Sequence, residues 1–161
     1  MSELFEFVKQ GDYTSVDHVI LKGSSPNVVD DDGRTPLHWA AQEGQLKIAG
    51  RLIAAGAEVN PQDKHGFTPL AVAVGEAHEA LVRTLLDAGA SPNLTIASDS
   101  DGTPLHLACS WNRLEIAKAL VERAGTDINA RTVEGKTPLA YALDGQFEEL
   151  SKYLIAHGAI A

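Results

Sequence analysis

The feature that most constrains this chain is a six-residue motif that recurs four times along it. The motif reads TPLHWA, TPLAVA, TPLHLA and TPLAYA, and its copies begin at Thr35, Thr68, Thr103 and Thr137. Successive copies begin 33, 35 and 34 residues apart, so the period is nearly constant. A period of this length in a chain of 161 residues indicates stacked structural repeats, none of which could bury its apolar face alone.

The chemistry of each repeat predicts two short helices. Threonine is a good N-cap and proline fits the first helical position, where no backbone N–H is needed, so each TPL motif is expected to start a helix. A second apolar run ends in a glycine suited to a left-handed C-cap. These glycines are Gly56, Gly89, Gly125 and Gly158. A leucine stands 17 residues after each motif threonine, and three of these leucines are predicted core residues: Leu52, Leu85 and Leu120.

A period near 33 residues with the motif T-P-L-H-x-A resembles the ankyrin repeat. The resemblance implies an all-α fold, an ankyrin-repeat solenoid of five stacked helix-turn-helix units with projecting β-turns. A single domain is expected over residues 1–161, with repeats at about 1–29, 30–62, 63–97, 98–131 and 132–161. The first repeat lacks the motif and is predicted to be a degenerate N-terminal cap. Because repeats fill the sequence, we expect no attached enzyme domain.

Two departures from the period mark the fourth repeat. The turn LTIASDSDG, which precedes Thr103, is longer by two residues than the turn before Thr68. The second helix of this repeat, or its end, carries one extra residue between Leu120 and Gly125. We therefore expect a distinctive projecting loop at this place.

In proteins that this chain resembles, partners bind a concave surface formed by the projecting turns and the exposed flanks of the first helices. The repeat register places fifteen candidate partner-binding residues on that surface. They are Asp31, Asp32, Arg34, Glu43, Lys64, His65, Phe67, Glu76, Asp99, Asp101, Ser110, Trp111, Glu134, Lys136 and Asp144. Eight of them are acidic and three are basic, so the predicted surface is negative.

The aromatic residues are the most informative members of this set. Trp111 lies beyond the small-residue stripe of its helix, which favours an exposed indole that could anchor a partner; a core position is the alternative. Phe67 stands where other repeats place Arg34 and Lys136, so it is also expected to be exposed. Trp39, by contrast, lies inside its motif and is predicted to pack in the core.

Composition excludes several other kinds of site. The formal charge of −9 disfavours nucleic acid and anionic membrane surfaces, but allows a basic protein partner. The six histidines show no metal-ligand spacing, and the DDDG and DSDG segments are explained by turn chemistry, so no metal and no cofactor is expected. Cys109 is alone, which rules out an intrachain disulfide and favours a buried, inert thiol in a reducing setting. We expect a cytoplasmic location, or a nuclear one in a eukaryote.

These observations predict a non-catalytic protein–protein interaction module that captures or occludes a partner protein on its concave face. Two alternatives of the same class stay open. One is an immunity-type inhibitor that neutralises a basic toxin, and the other is a scaffold that joins two proteins. An enzyme is the rival from another class, and no recognised catalytic motif supports it. The chain is expected to be monomeric on its own.

Overall fold

Helices account for all the regular secondary structure in residues 2–97 and 102–161, which are the residues that the computed structural model describes. Within these residues the helices form five consecutive pairs, one pair in each predicted repeat. They are α1 Glu3–Gln10, α2 Tyr13–Leu21, α3 Pro36–Gln42, α4 Leu46–Ala54, α5 Pro69–Gly75, α6 Glu79–Asp87, α7 Pro104–Ser110, α8 Leu114–Val121, α9 Pro138–Asp144 and α10 Glu148–Ala156. The predicted all-α fold of five helix-turn-helix units is confirmed.

The helices belong to two compact units, Met1–Ala90 and Ser91–Ala161, which we call unit 1 and unit 2. In unit 1 the first helices α1, α3 and α5 pack in that order, and the second helices α2, α4 and α6 form a parallel row. In unit 2 the first helix α7 packs on α9, and the second helix α8 packs on α10. The single domain expected over residues 1–161 stays a prediction.

The helix ends follow the predicted capping chemistry. All four motif prolines are the first residues of their helices, and the hydroxyls of Thr68 and Thr137 accept hydrogen bonds from the N–H groups of Ala71 and Ala140. The glycine after each second helix has a left-handed backbone, for example Gly56 with φ of 88°. The sequence signals therefore act locally, as expected.

The core of each unit lies between its first and second helices. The predicted core leucines Leu52, Leu85 and Leu120 are all 0% exposed, which confirms the register. The motif leucines of the same repeats are fully buried as well, for example Leu70 and Leu105.

The two departures of the fourth repeat lie in turns. In the other projecting turns a backbone hydrogen bond spans five residues, as from Asp30 N–H to the carbonyl of Arg34. The long turn keeps this closing bond, now from Ile96 N–H to the carbonyl of Gly102 at 2.8 Å. The extra residue before Gly125 follows α8, because that helix ends at Val121 and the chain then turns.

Candidate functional site

The projecting turn of the second repeat is held by the carboxylate of Asp30. One carboxylate oxygen accepts hydrogen bonds from the N–H groups of Asp32 at 3.0 Å and Arg34 at 2.9 Å, and the other accepts from Trp39 Nε1 at 2.9 Å. Burial opposes the ionisation of this carboxyl, but the hydrogen bonds and the charge of Arg34 outweigh it and lower the pKa of Asp30. Asp30 is therefore a turn-forming residue, as turn chemistry predicted.

The third repeat builds its turn in the same way around Asp63, whose carboxylate accepts from the N–H groups of His65 at 2.9 Å and Phe67 at 3.0 Å. The two turns are also joined directly, since Lys64 N–H donates to the carbonyl of Asp32 at 2.9 Å. Four predicted contact residues are exposed on these adjoining turns: Asp31, Asp32, Lys64 and His65.

Two motif histidines each bond the projecting turn of the next repeat: His38 bonds the turn of the third repeat, and His106 bonds the turn of the fifth. Thr35 N–H donates to Nδ1 of His38 at 3.0 Å, so Nε2 carries the proton and donates to the carbonyl of Phe67 at 2.9 Å. His106 makes the same pair of bonds in unit 2, to Thr103 at 3.1 Å and to the carbonyl of Lys136 at 3.1 Å. Burial lowers the pKa of both imidazoles. The structural bond implied by the family resemblance is confirmed at both positions.

Trp39 lies beside the projecting turn of the second repeat in unit 1. Its predicted core position is wrong. The side chain is partly exposed, because its motif neighbours Leu37, His38, Ala40 and Ala41 take the buried side of α3. Lys9 Nζ lies 4.1 Å and Arg34 Cζ lies 4.5 Å from the ring centroid, while the indole N–H is bound to Asp30. Both the π face and the N–H of this indole are thus engaged within unit 1.

Arg34 and Phe67 are less available than the sequence indicated. The Arg34 side chain is only 17% exposed, stacks on Trp39 and lies 3.9 Å from a carboxylate oxygen of Asp63. Phe67 was expected to be exposed but is half-buried, with its backbone bound to Asp63 and His38. The carboxylates of Glu43 and Glu76, at the ends of α3 and α5, are exposed as predicted.

Trp111 is an exposed aromatic residue of unit 2. It is the C-cap residue of α7 and is 54% exposed, which confirms its predicted exposure. Within the part of the chain that the structure describes, no hydrogen bond, ring stack or cation engages this indole. An exposed apolar surface with a free N–H donor is what an interface anchor presents before binding.

Two of the remaining candidates of unit 2 lie on the last projecting turn, Glu134 and Lys136, and Asp144 pairs with the second of them. Lys136 Nζ pairs with a carboxylate oxygen of Asp144 at 2.9 Å and lies 5.5 Å from the ring centroid of Tyr141. Glu134 is exposed at the tip of this turn. The Ser110 hydroxyl donates back to the carbonyl of Leu107 at 3.0 Å, so it is already satisfied within α7.

Two predicted residues, Asp99 and Asp101, lie outside the described residues. Conversely, sequence reasoning missed aromatic and basic residues that lie beside the candidates: Lys9 and Trp39 in unit 1, and Tyr141 in unit 2. Trp39 and Tyr141 occupy the fifth place of the TPL motif, where Leu107 is also partly exposed. Three of the four motifs leave this place accessible, which is the signal that could have identified them.

Other kinds of site find no support in residues 2–97 and 102–161. No group of three or more His, Cys, Asp or Glu side chains there is arranged to hold a metal ion. No described helix is long and apolar enough to cross a membrane. Cys109 is fully buried, and burial raises the pKa of its thiol to about 12, so it is a packing residue as predicted.

Comparison with known proteins agrees with the repeat architecture. The family model for ankyrin repeats (three copies) matches residues 4–96 and 95–160. The chain is 42% identical over 55 residues to mouse Rabankyrin-5 and 42% identical over 62 residues to the probable 26S proteasome regulatory subunit p28 of Saccharomyces cerevisiae. It is also 46% identical over 48 residues to the 26S proteasome non-ATPase regulatory subunit 10 of Dictyostelium discoideum.

Each of these alignments covers a limited part of this chain and a limited part of the relative. The aligned segments are 34%, 38% and 29% of this chain, and 5%, 27% and 21% of the respective relatives. The family model, by contrast, covers nearly all of the sequence. The chain therefore belongs to the ankyrin repeat family.

Proposed function

We propose that this chain is a non-catalytic module that captures or occludes a partner protein with its projecting turns and the exposed flanks of its first helices. Ankyrin repeats are generally protein–protein interaction modules and typically carry no catalytic activity. Two of the similar proteins are named as regulatory subunits of the proteasome, which fits a regulatory use of such repeats. The observation that carries the proposal is the exposed and unengaged indole of Trp111.

Trp111 is the proposed anchor of the interface. Tryptophan is enriched among residues whose truncation weakens protein complexes most, because it buries a large rigid surface together with a polar N–H. In unit 2, Glu134, Lys136 and Asp144 are proposed as further contacts. In unit 1, the exposed residues of the predicted set are proposed to contact the partner separately: Asp31, Asp32, Glu43, Lys64, His65 and Glu76. Asp99 and Asp101 are kept as proposed contacts on sequence grounds alone.

The partner is proposed to carry a basic surface. Acidic residues outnumber lysines by three to one among the nine exposed candidates just named, and complementary charge accelerates encounter more than it slows release. Replacing Asp31, Asp32 and Glu134 together with lysine should therefore slow association strongly and leave dissociation nearly unchanged. The on-rate of the natural protein should also fall as salt screens the field. An on-rate that is flat between low and high salt would remove this part of the proposal.

The anchor is tested by capture from native lysate with the natural protein and with Trp111→Ala as parallel baits. We expect a partner that is enriched by the natural protein and lost with the variant, whose melting temperature stays nearly unchanged because the side chain is exposed. With the purified partner, the truncation should cost about 2 kcal/mol of binding free energy, or about thirtyfold in Kd. A variant that unfolds more easily and still binds normally would contradict the anchor.

The captured partner also separates the alternatives. Loss of a toxic activity on capture would favour an immunity-type inhibitor, and simultaneous binding of two proteins would favour a scaffold. We further propose a cytoplasmic location and a monomeric free state, because the lone cysteine is buried and the chain is acidic.

A further inference from the structure

Unit 2 has an open groove where the turn between α7 and α8 lies beside the turn between α9 and α10. Its volume is about 440 Å³, within the range of small ligand sites. The groove is lined by Asn112, Leu114, Gln146, Phe147, Glu148 and Glu149. It adjoins the proposed anchor along the chain, since Asn112 directly follows Trp111.

Two aromatic rings explain why this groove is open. At the equivalent place in unit 1, the side chain of His78 crosses to the neighbouring turn, and its Nε2 bonds the carbonyl of Gln42 at 3.0 Å. The ring lies so close to Gly44 that a Cβ added to this glycine would be 2.6 Å from it. Phe147, the counterpart of His78, instead lies over Gly145 of its own turn, against the position that a Cβ would take there. The neighbouring turn of unit 2 carries Asn112 where unit 1 has Gly44. The space that His78 fills in unit 1 is thus left unfilled in unit 2.

The groove lining has the chemistry of a site for a cation with a flat, apolar face. Phe147 and Leu114 supply apolar surface, and the amides of Asn112 and Gln146 supply hydrogen-bond acceptors. Glu148 and Glu149 supply two carboxylates in the first turn of α10, and the lining contains no basic residue. Lys152 lies 3.4 Å from Glu148, but both side chains are more than three-quarters exposed, so this ion pair is weak and exchangeable.

We propose that this groove binds an arginine side chain of the partner protein, an inference that rests on the proposed capture function. A guanidinium group can stack on the Phe147 ring while its N–H groups bond carboxylate and amide oxygens at its edge. A lysine ammonium group offers no planar face and is more strongly hydrated, so it fits less well. An anionic side chain would meet Glu148 and Glu149. The partner therefore presents an arginine beside the surface that covers Trp111.

The groove is tested with blocked tripeptides added to the isotope-labelled full chain and followed by amide chemical shifts. Gly-Arg-Gly should give saturable shifts concentrated at Asn112 and at residues 146–149, with a Kd at least threefold lower than that of Gly-Lys-Gly. Gly-Gln-Gly should give none. Shifts spread evenly over acidic residues of both units, or equal affinity for the arginine and lysine peptides, would overturn the proposal.

Matched variants distinguish peptide binding in the groove from general attraction to acidic residues. Glu148→Gln with Glu149→Gln should raise the Kd of the arginine peptide at least fivefold. Glu3→Gln with Glu6→Gln removes the same charge from exposed positions in the first turn of α1 and should leave the Kd within twofold. Equal effects of the two pairs would overturn the proposal.

A groove-filling variant provides a test that does not depend on charge. Asn112→Gly with Phe147→His copies the arrangement of Gly44 and His78, so the chain should fold and lose the peptide shifts. Persistence of these shifts in the folded variant would contradict the assignment. Trp111→Ala, in contrast, should bind the tripeptide normally. Failure of the tripeptide tests with Trp111-dependent capture intact would therefore overturn the groove and leave the proposed function standing.

Discussion

Unit 1 and unit 2 each present a tryptophan from a first helix, and the two indoles are in opposite states. Trp39 in unit 1 has Lys9 and Arg34 over its ring and donates its N–H to Asp30. Trp111 in unit 2 is 54% exposed and none of the described residues engages it. The contrast teaches that the fold uses the face and the donor of one surface indole internally and leaves those of the other available for the proposed interface.

A similar contrast appears in the turns that join the two helices of each repeat. In unit 1, a glycine at position 44 lets His78 pack across from the next repeat, so the neighbouring repeats seal one another. In unit 2, Asn112 occupies that place and Phe147 folds back onto Gly145. Unit 1 thus engages its indole and fills the space between these turns, whereas unit 2 leaves both an aromatic face and a groove available.

Truncating the core should produce the largest effects, and it should do so in both units. Leu85→Ala in unit 1 and Leu120→Ala in unit 2 each remove a side chain that is 0% exposed. Each should lower the free energy of unfolding by about 2–5 kcal/mol through lost burial and the cavity left behind. Urea unfolding measures both losses. An unchanged midpoint for either variant would show that the repeat register is wrong in that unit.

Alanine in the turn between the paired helices should destabilise unit 1 more than unit 2. Gly44 has φ of 65°, and a Cβ there would lie 2.6 Å from the His78 ring, so Gly44→Ala should cost about 1–3 kcal/mol of stability. Asn112 already holds a left-handed backbone with φ of 53°, and a side chain fits there. Asn112→Ala should therefore cost less than about 1 kcal/mol. Thermal unfolding of the two variants measures this difference, and equal losses would mean that unit 2 is sealed as tightly as unit 1.

Sequence reasoning worked where a local signal is enough. The TPL motifs placed helix starts at Pro36 and its equivalents, and the leucine register identified core residues such as Leu85. It failed for Trp39, because Leu37, His38, Ala40 and Ala41 take the buried side of α3 and leave the indole partly exposed beside Lys9, which comes from the repeat without a motif. It also overstated the exposure of Phe67, whose turn is fastened to the helix before it by His38.

The groove of unit 2 was beyond sequence reasoning for a related reason. Phe147 and His78 hold the same repeat position, and a single sequence does not reveal that one ring covers its own turn while the other crosses to the neighbouring turn. His78 faces Gly44 of the neighbouring repeat, whereas the equivalent neighbour of Phe147 is Asn112, and such a contact between repeats is not a property of either one.

Acidification should lower the free energy of unfolding in both units through their motif histidines. This effect should be smaller than the effects of the substitutions above. Burial lowers the pKa of His38 and His106 below the ordinary value of 6.5, so the folded protein keeps them neutral where the unfolded chain binds protons. The free energy of unfolding should therefore fall as the pH drops below about 6.5, and level off once the pH lies below the folded-state values. Urea unfolding between pH 7.5 and 5 measures the slope.

Each histidine should contribute separately to that slope. His38→Gln and His106→Gln should each remove part of the pH dependence, because each replaces one buried imidazole in one unit. A slope that is unchanged in both variants would assign the pH dependence to other groups.

The most direct test of the contrast between the tryptophans is acrylamide quenching of fluorescence in chains with one indole. Trp39→Phe leaves Trp111 alone, and Trp111→Phe leaves Trp39 alone. The account predicts that Trp111 is quenched more strongly than Trp39 in the free protein, and that it becomes protected when the captured partner saturates the chain. Trp39 should change little on binding. Equal quenching of Trp111 with and without the bound partner would contradict the claim that this indole anchors the interface.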